Sequence, residues 1–248
     1  LVGGNQNSIR NYADYSTLGG GYQNSIQNEA DYSTLVGGSQ NRIEPDADYS
    51  TLVGGLNNSI QYETDYSTLG GGYQNSIQNY ADYSTLGGGY QNSIQTDADF
   101  STIPGGRENT AGGAYSFAAG RRAKALHQGA FVWGDSEDAD ISSTANDQFV
   151  IRAHGGIFIN YRDIYLLYPG DHNHGLGWYG VGKPFAGSEI DGPAIYGYGG
   201  GALGTVHGST NIALFWHGDG KVGIGTAIPP EKLDVANGRI GNVGTPDS

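Results

Sequence analysis

His172 and His174 stand one residue apart, the spacing in this sequence best suited to metal ligation. Alternate residues of an extended strand face the same way, so both imidazoles can turn to one side, and imidazole suits iron and other transition metals. Two loop-capping histidines are the plainer reading. The densest carboxylates are Asp135, Glu137, Asp138 and Asp140, the residue type that glycoside cleavage needs as a pair flanking one bond. They lie among Ser and Ala, where a solvated linker is the ordinary meaning. Trp178, Tyr179, Tyr196 and Tyr198 could form a receptor-binding surface that stacks on sugar or packs on protein, or else the core of a small β domain. Trp216, between Phe215 and His217 and close to Leu214, reads as core. The sequence has no cysteine nucleophile, Gly-x-Ser-x-Gly elbow, phosphate loop or His-Glu-x-x-His, so no enzyme is expected.

The elements that would position these groups begin with a repeat. Asp-Tyr/Phe-Ser-Thr-Leu/Ile followed by a glycine-rich turn recurs at Asp14, Asp31, Asp48, Asp65, Asp82 and Asp99, a period of 17 residues. A unit that short holds two short strands and two turns, too little to bury an apolar face alone, so its copies must stack on one another or on other chains. Tyr, Thr, Leu and Val favour strand, while Gly-Gly and Gln-Asn steps favour turns, so helix is disfavoured. Stacked coils predict a ladder of Leu18, Leu35, Leu52, Leu69 and Leu86, a second of isoleucines from Ile26 to Ile94, and a third of tyrosines. A column of aspartates would repel itself, and the least costly relief is for each to cap its own turn while staying solvated. A calcium ladder is the alternative, but the nine-residue glycine-aspartate repeat of calcium-binding rolls is missing.

Composition narrows the field. The 248 residues include 44 glycines and no cysteine or methionine, and no three-residue glycine rhythm runs through them. Net charge is −13, with 12 acids against 3 bases in residues 1–110 and 13 against 9 thereafter, which opposes nucleic-acid binding. No apolar run approaches the roughly 18 residues of a membrane span, so no membrane insertion is expected in this segment. Leu1 already stands in mid-repeat, as expected of a fragment.

Ser116-Phe117-Ala118-Ala119-Gly120-Arg121-Arg122-Ala123-Lys124-Ala125 and the following Gly129 to Asp135 resemble the head repeats of YadA-like trimeric adhesins, and the upstream copies resemble a longer variant. The resemblance covers residues 1–134. It implies an all-β fold, a homotrimeric left-handed parallel β-roll of 17-residue coils. Arg121, Arg122 and Lys124 could then bridge neighbouring chains to Glu137 or Asp138. Residues 135–160 read as a neck or connector, with Phe149, Ile151, Ile157 and Ile159 predicting a strand pair about Gly155-Gly156. Residues 161–218 read as a Gly- and aromatic-rich β tip module. Residues 219–248 resemble the segment preceding an endosialidase-type intramolecular chaperone, and Ser248 fits a cleavage scar. Gly170-Asp171-His172-Asn173-His174 is similar to phage-fibre needle tips, where three chains place such pairs around an axial iron.

The expected function is a structural and adhesive part of a trimeric extracellular fibre, a tail fibre or a trimeric adhesin. Its expected partners are two further copies of the chain and a cell-surface glycan or protein receptor. A tailspike-like glycan hydrolase is the alternative. Ice or mineral binding by a Ser-Thr ladder ranks last, because tyrosines and glutamines would roughen that face.

Overall fold

The computed structural model describes residues 3–159, 163–166, 174–179, 183, 185, 186, 188, 191–205 and 211–236. The chain divides into two compact units, Leu1–Gly156 and Ile157–Ser248.

The first unit is a β-solenoid. Each 17-residue coil contributes two strands, such as Ser25–Ile26 and Thr34–Leu35, and each pairs in parallel with its equivalent one coil on: Ser25 with Arg42, Thr34 with Thr51. Two nine-stranded parallel sheets result. A third line of parallel bridges joins Asn5, Tyr22, Ser39, Leu56, Tyr73 and Tyr90. Leu18, Leu35, Leu52, Leu69 and Leu86 line one inner wall and Ile26, Ile43, Ile60, Ile77 and Ile94 the other, all fully buried within a single chain. Each such side chain contributes roughly 1.5–3 kcal/mol of apolar burial. Stacking within the chain therefore supplies the core that one repeat lacks.

Three features depart from the strand-and-turn expectation. The repeat tyrosines are corner residues: Tyr15, Tyr32, Tyr49, Tyr66, Tyr83 and Phe100 have φ of 53° to 58°, leaving only Thr-Leu as strand. In the internal coils the second residue of the Gln-Asn or Asn-Asn step that follows the glycine turn, expected in a turn, is a buried asparagine: Asn58 Nδ2 donates to Gly54 O (2.9 Å) and Gly72 O (3.0 Å), and its Oδ1 accepts from Asn75 N (2.9 Å). Serine goes inward too, with Ser67 Oγ donating to Ala81 O (3.0 Å) and accepting from Ser84 N (3.0 Å). Only threonine points outward from that sheet, so a Ser-Thr surface ladder does not form. The last glycine of each turn is dictated by two constraints. Gly72 has φ +87°, and a Cβ there would strike the carbonyl of Gly89 and the amide of Asn75.

The stack continues past Gly134. Ala123–Ala125 pairs with Ile141–Ser142, and Phe131–Gly134 pairs with Phe149–Arg152. No strand pair forms about Gly155-Gly156. Phe149–Arg152 instead adds to the parallel edge already offered by Phe131–Gly134, setting Val150 against the core, and Ile157 to Ile159 carry no strand.

Among its described residues the second unit is also all β. Ile164–Tyr165, Gly175–Tyr179 and Gly192–Tyr196 form an antiparallel three-stranded sheet. Gly200–Thr205, Asn211–His217, Val222–Ile224 and Leu233–Val235 form a four-stranded sheet that is antiparallel except for its last pair. This second sheet spans residues 218 and 219, where module and tail were expected to part. Trp216 is half-buried, its ring against Gly201.

Candidate functional site

The repeat aspartates act as fasteners between coils. The backbone N–H groups of Asp14, Asp31, Asp48, Asp65 and Asp82 each donate to Oδ1 of the aspartate one coil on, at 2.6 to 3.0 Å. Asp99 is the last acceptor in this series. Asp31, Asp48, Asp65, Asp82 and Asp99 thus each receive a hydrogen bond from the preceding coil, rather than capping their own turns as the sequence leads one to expect. Burial, followed by like-charged neighbours, raises the carboxyls of Asp48, Asp65 and Asp82 above the ordinary aspartate range, although each accepts a backbone hydrogen bond that offsets part of the rise.

Beside them runs an aromatic stack. Tyr15, Tyr32, Tyr49, Tyr66, Tyr83, Phe100 and Tyr115 follow one another with ring centroids 4.8 to 5.1 Å apart and planes within 11°. The rings are exposed, but each internal ring gives both faces to its neighbours. Only edges and hydroxyls meet solvent, so this column cannot stack on sugar except at its ends.

The loop after Gly134 is strapped down within its own chain. Arg121 pairs with Asp138 at 2.8 Å and Arg122 with Asp140 at 2.8 Å, while Lys124 Nζ donates to Glu108 O at 2.6 Å. The four linker acids are therefore ion-paired. Asp135 accepts from Arg152 Nε (2.9 Å) and from His154 N (2.9 Å), and His154 lies between Asp135 (2.7 Å) and Glu137 (3.5 Å). The hydrogen bond from the His154 backbone, followed by those from Arg152 and the imidazole, holds Asp135 well below the usual carboxylate range, while Asp135 raises His154. Asp135, Glu137 and His154 have donor atoms close enough for a metal, yet the Arg152 guanidinium sits 2.9 Å from Asp135 and 3.3 Å from Glu137. That positive charge makes the group an ion-pair clasp.

In the second unit the predicted aromatics divide between two faces. Tyr179 and Tyr196 turn to the side of Gly175 and Gly177, where their hydroxyls donate to Asp163 Oδ2 at 2.8 and 2.7 Å. Lys183 Nζ contacts Asp163 Oδ1 and lies 4.3 Å from the centre of the Tyr179 ring. The Asp163 side chain is only 6% exposed. Glycine is needed at both strand positions, because a Cβ on Gly177 would occupy the place of the Asp163 carboxylate and one on Gly175 would strike the Tyr196 hydroxyl. Burial pushes Asp163 up, but hydrogen bonds from Lys183, Tyr196 and Tyr179 outweigh it and hold the carboxyl below its ordinary value. Burial and Asp163 together raise both tyrosine hydroxyls. Sequence reasoning missed Asp163 and Lys183, which stand alone in irregular text.

The opposite face carries Trp178 (61% exposed) and Leu176, with Pro193 and Ile195 beside them in register and Ile164 across from Leu176. Tyr198, 81% exposed, follows this sheet. Trp178 and Tyr198 are therefore open to a partner, whereas Tyr179 and Tyr196 have their hydroxyls committed to Asp163. His174 opens the middle strand's approach, its carbonyl accepting from Leu166 N at 3.1 Å. His172 lies outside the described residues. Among the described residues no helix is long and apolar enough to cross a membrane. No protein-family model matches the chain, and neither does any curated protein.

Proposed function

We propose that the chain is a structural and adhesive segment of a homotrimeric extracellular fibre that attaches to a glycan or protein at a cell surface. The observation that carries this reading is the apolar sheet face formed by Ile164, Leu176, Trp178, Pro193 and Ile195. It stays open while the solenoid fills its own core. Exposed contiguous apolar surface of this kind marks contact with another macromolecule, and a ring such as Trp178 suits the apolar face of a sugar. The solenoid supplies the stiff, repetitive part of the fibre, and threefold assembly multiplies weak contacts. A metal held on the axis by His172 and His174 of three chains belongs to the same reading. Its check is the iron content of purified protein together with the melting temperature after chelation.

Two measurements test the proposal. Sedimentation should give three times the 26.0 kDa chain mass. On a glycan array or intact cells, Trp178→Ala should lose most of the binding while the solenoid stays folded. A monodisperse single-chain particle with no affinity for cells or glycans would refute it.

A further inference from the structure

The outer surface of the Ser-Ile sheet carries a polar face unlike the rest of the solenoid. Ser8, Ser25, Arg42 and Ser59 follow one another outward along it. On one side stands an amide ladder at a left-handed corner, in which Gln23 Nε2 donates to Gln6 Oε1 (2.7 Å) and Gln40 Nε2 to Gln23 Oε1 (3.2 Å). It resumes higher up, with Gln91 Nε2 donating to Gln74 Oε1 at 2.8 Å. On the other side Gln27 Nε2 donates to Ser25 Oγ (2.8 Å) and Gln78 Nε2 to Ser93 Oγ (3.0 Å). Between the columns, at the level of Gln6 to Gln40, lies a groove of about 480 Å³ lined by Gln23, Gln27, Ser8, Ser25, Arg10 and Arg42.

Three properties bear on what this groove would take. An amide offers two N–H groups and two lone pairs, and the ladder consumes one of each at Gln23, which keeps one donor and one acceptor for a ligand, while Gln6 and Gln40 at its ends keep more. The lining has no apolar anchor, so an apolar peptide would bury amides without partners, a cost of roughly 1–3 kcal/mol per group. Arg10 and Arg42 are two of the three bases in residues 1–110, so the positive charge of this acidic stretch gathers here, and Arg42 is partly offset by Glu44 at 4.0 Å. A short donor-acceptor ladder flanked by two guanidiniums, which also donate to hydroxyl oxygens, complements a polymer that repeats paired hydroxyls along its length.

We infer that this face binds an extended, hydroxyl-rich polysaccharide lying along the solenoid axis, as a second contact surface separate from Trp178. The inference shares with the attachment reading only the choice of glycan as ligand class.

Titration calorimetry of the intact protein with cellohexaose and with chitohexaose tests it. Ser8→Lys with Ser25→Lys fills the groove with side chains that this column already accepts, since Arg42 and Lys124 stand in it. Gln23→Ala with Gln40→Ala removes the amides with little demand on the fold. Each double variant should weaken binding of at least one hexasaccharide tenfold or more, and Thr34→Lys with Thr68→Lys, on the outer side of the other sheet, should leave it unchanged. Wild-type affinity in both groove variants, equal loss in the threonine control, or no binding of either sugar by the wild type overturns the inference. Cell or array binding that fails in Trp178→Ala but survives in the groove variants keeps the attachment reading and removes this one. The reverse pattern keeps the groove and removes the assignment to Trp178.

Discussion

The two units solve the problem of buried polar groups in opposite ways. In the solenoid a polar side chain is satisfied by an adjacent copy of its own repeat: Asn58 by Asn75 and Gly72, Ser67 by Ala81 and Ser84, Asp65 by the N–H of Asp48 in the preceding coil. In the second unit a single carboxylate, Asp163, gathers partners 16, 20 and 33 residues away. A ladder spreads its polar bonds over many equivalent rungs. A convergent cluster places everything on one group. The ladder should therefore resist removal of one outward side chain and fail when one backbone approach is blocked, whereas the cluster should be sensitive to its central residue.

The sharpest way to break the ladder is Gly72→Val, which adds left-handed strain and a collision with Gly89 and Asn75. The expected cost is about 2–6 kcal/mol, read as lost hydrogen-exchange protection in peptides of the neighbouring coils and unchanged protection in the second unit. Asn58→Ala comes next: two carbonyls and one N–H lose their buried partner, for about 2–4 kcal/mol, and denaturant unfolding of the solenoid should show it. Asp163→Ala should destabilise only the second unit. The cost should be about 1–3 kcal/mol, held down because Lys183 is partly open to water. Unchanged exchange around Tyr179 and Tyr196 in that variant would dissolve the contrast.

Acidification sharpens the comparison through its sign. Asp48, Asp65 and Asp82 have folded values above their unfolded ones, so the folded solenoid takes up protons first and gains stability as pH falls from neutral toward the ordinary carboxylate range. His154, also raised, contributes stability that is present at low pH and lost as pH rises through its folded value. Asp163 is shifted the other way, so its contribution is present throughout this window and is lost only on further acidification. Peptide-resolved melting should move up for the solenoid and stay level for the second unit, and the triple variant Asp48→Asn, Asp65→Asn, Asp82→Asn with His154→Gln should flatten the rise. The smallest effect belongs to Tyr66→Ala. It loses two stacking contacts at an exposed corner, worth about 1 kcal/mol, small against the Gly72 change.

How much of this was legible follows from the same contrast. The 17-residue period gave the stacking, the register and the leucine and isoleucine walls, because each residue's neighbour is its own copy. The aspartates were recognisable as structural, but spacing alone does not say whether a carboxylate accepts from its own turn or from the preceding coil. The continuation through Phe149–Arg152 was hidden because the period had drifted while the parallel edge remained available. In the second unit, Trp178 and Tyr179 are adjacent aromatics with nothing in the text to separate them. Strand alternation sends one to the open face and the other to Asp163.

The order of residues by itself determined an all-β, repeat-stacked chain with an acidic exterior and an unbroken apolar core, since local periodicity and composition need no long-range information. Only the tertiary structure decided that asparagine and serine would be interior, that tyrosine would turn a corner, and that Asp163 would be ringed by Lys183, Tyr179 and Tyr196. Those outcomes depend on which backbone carbonyls and cavities come within a few ångströms once the coils and sheets have closed, and a carboxylate or amide takes whatever donors that closure brings to it.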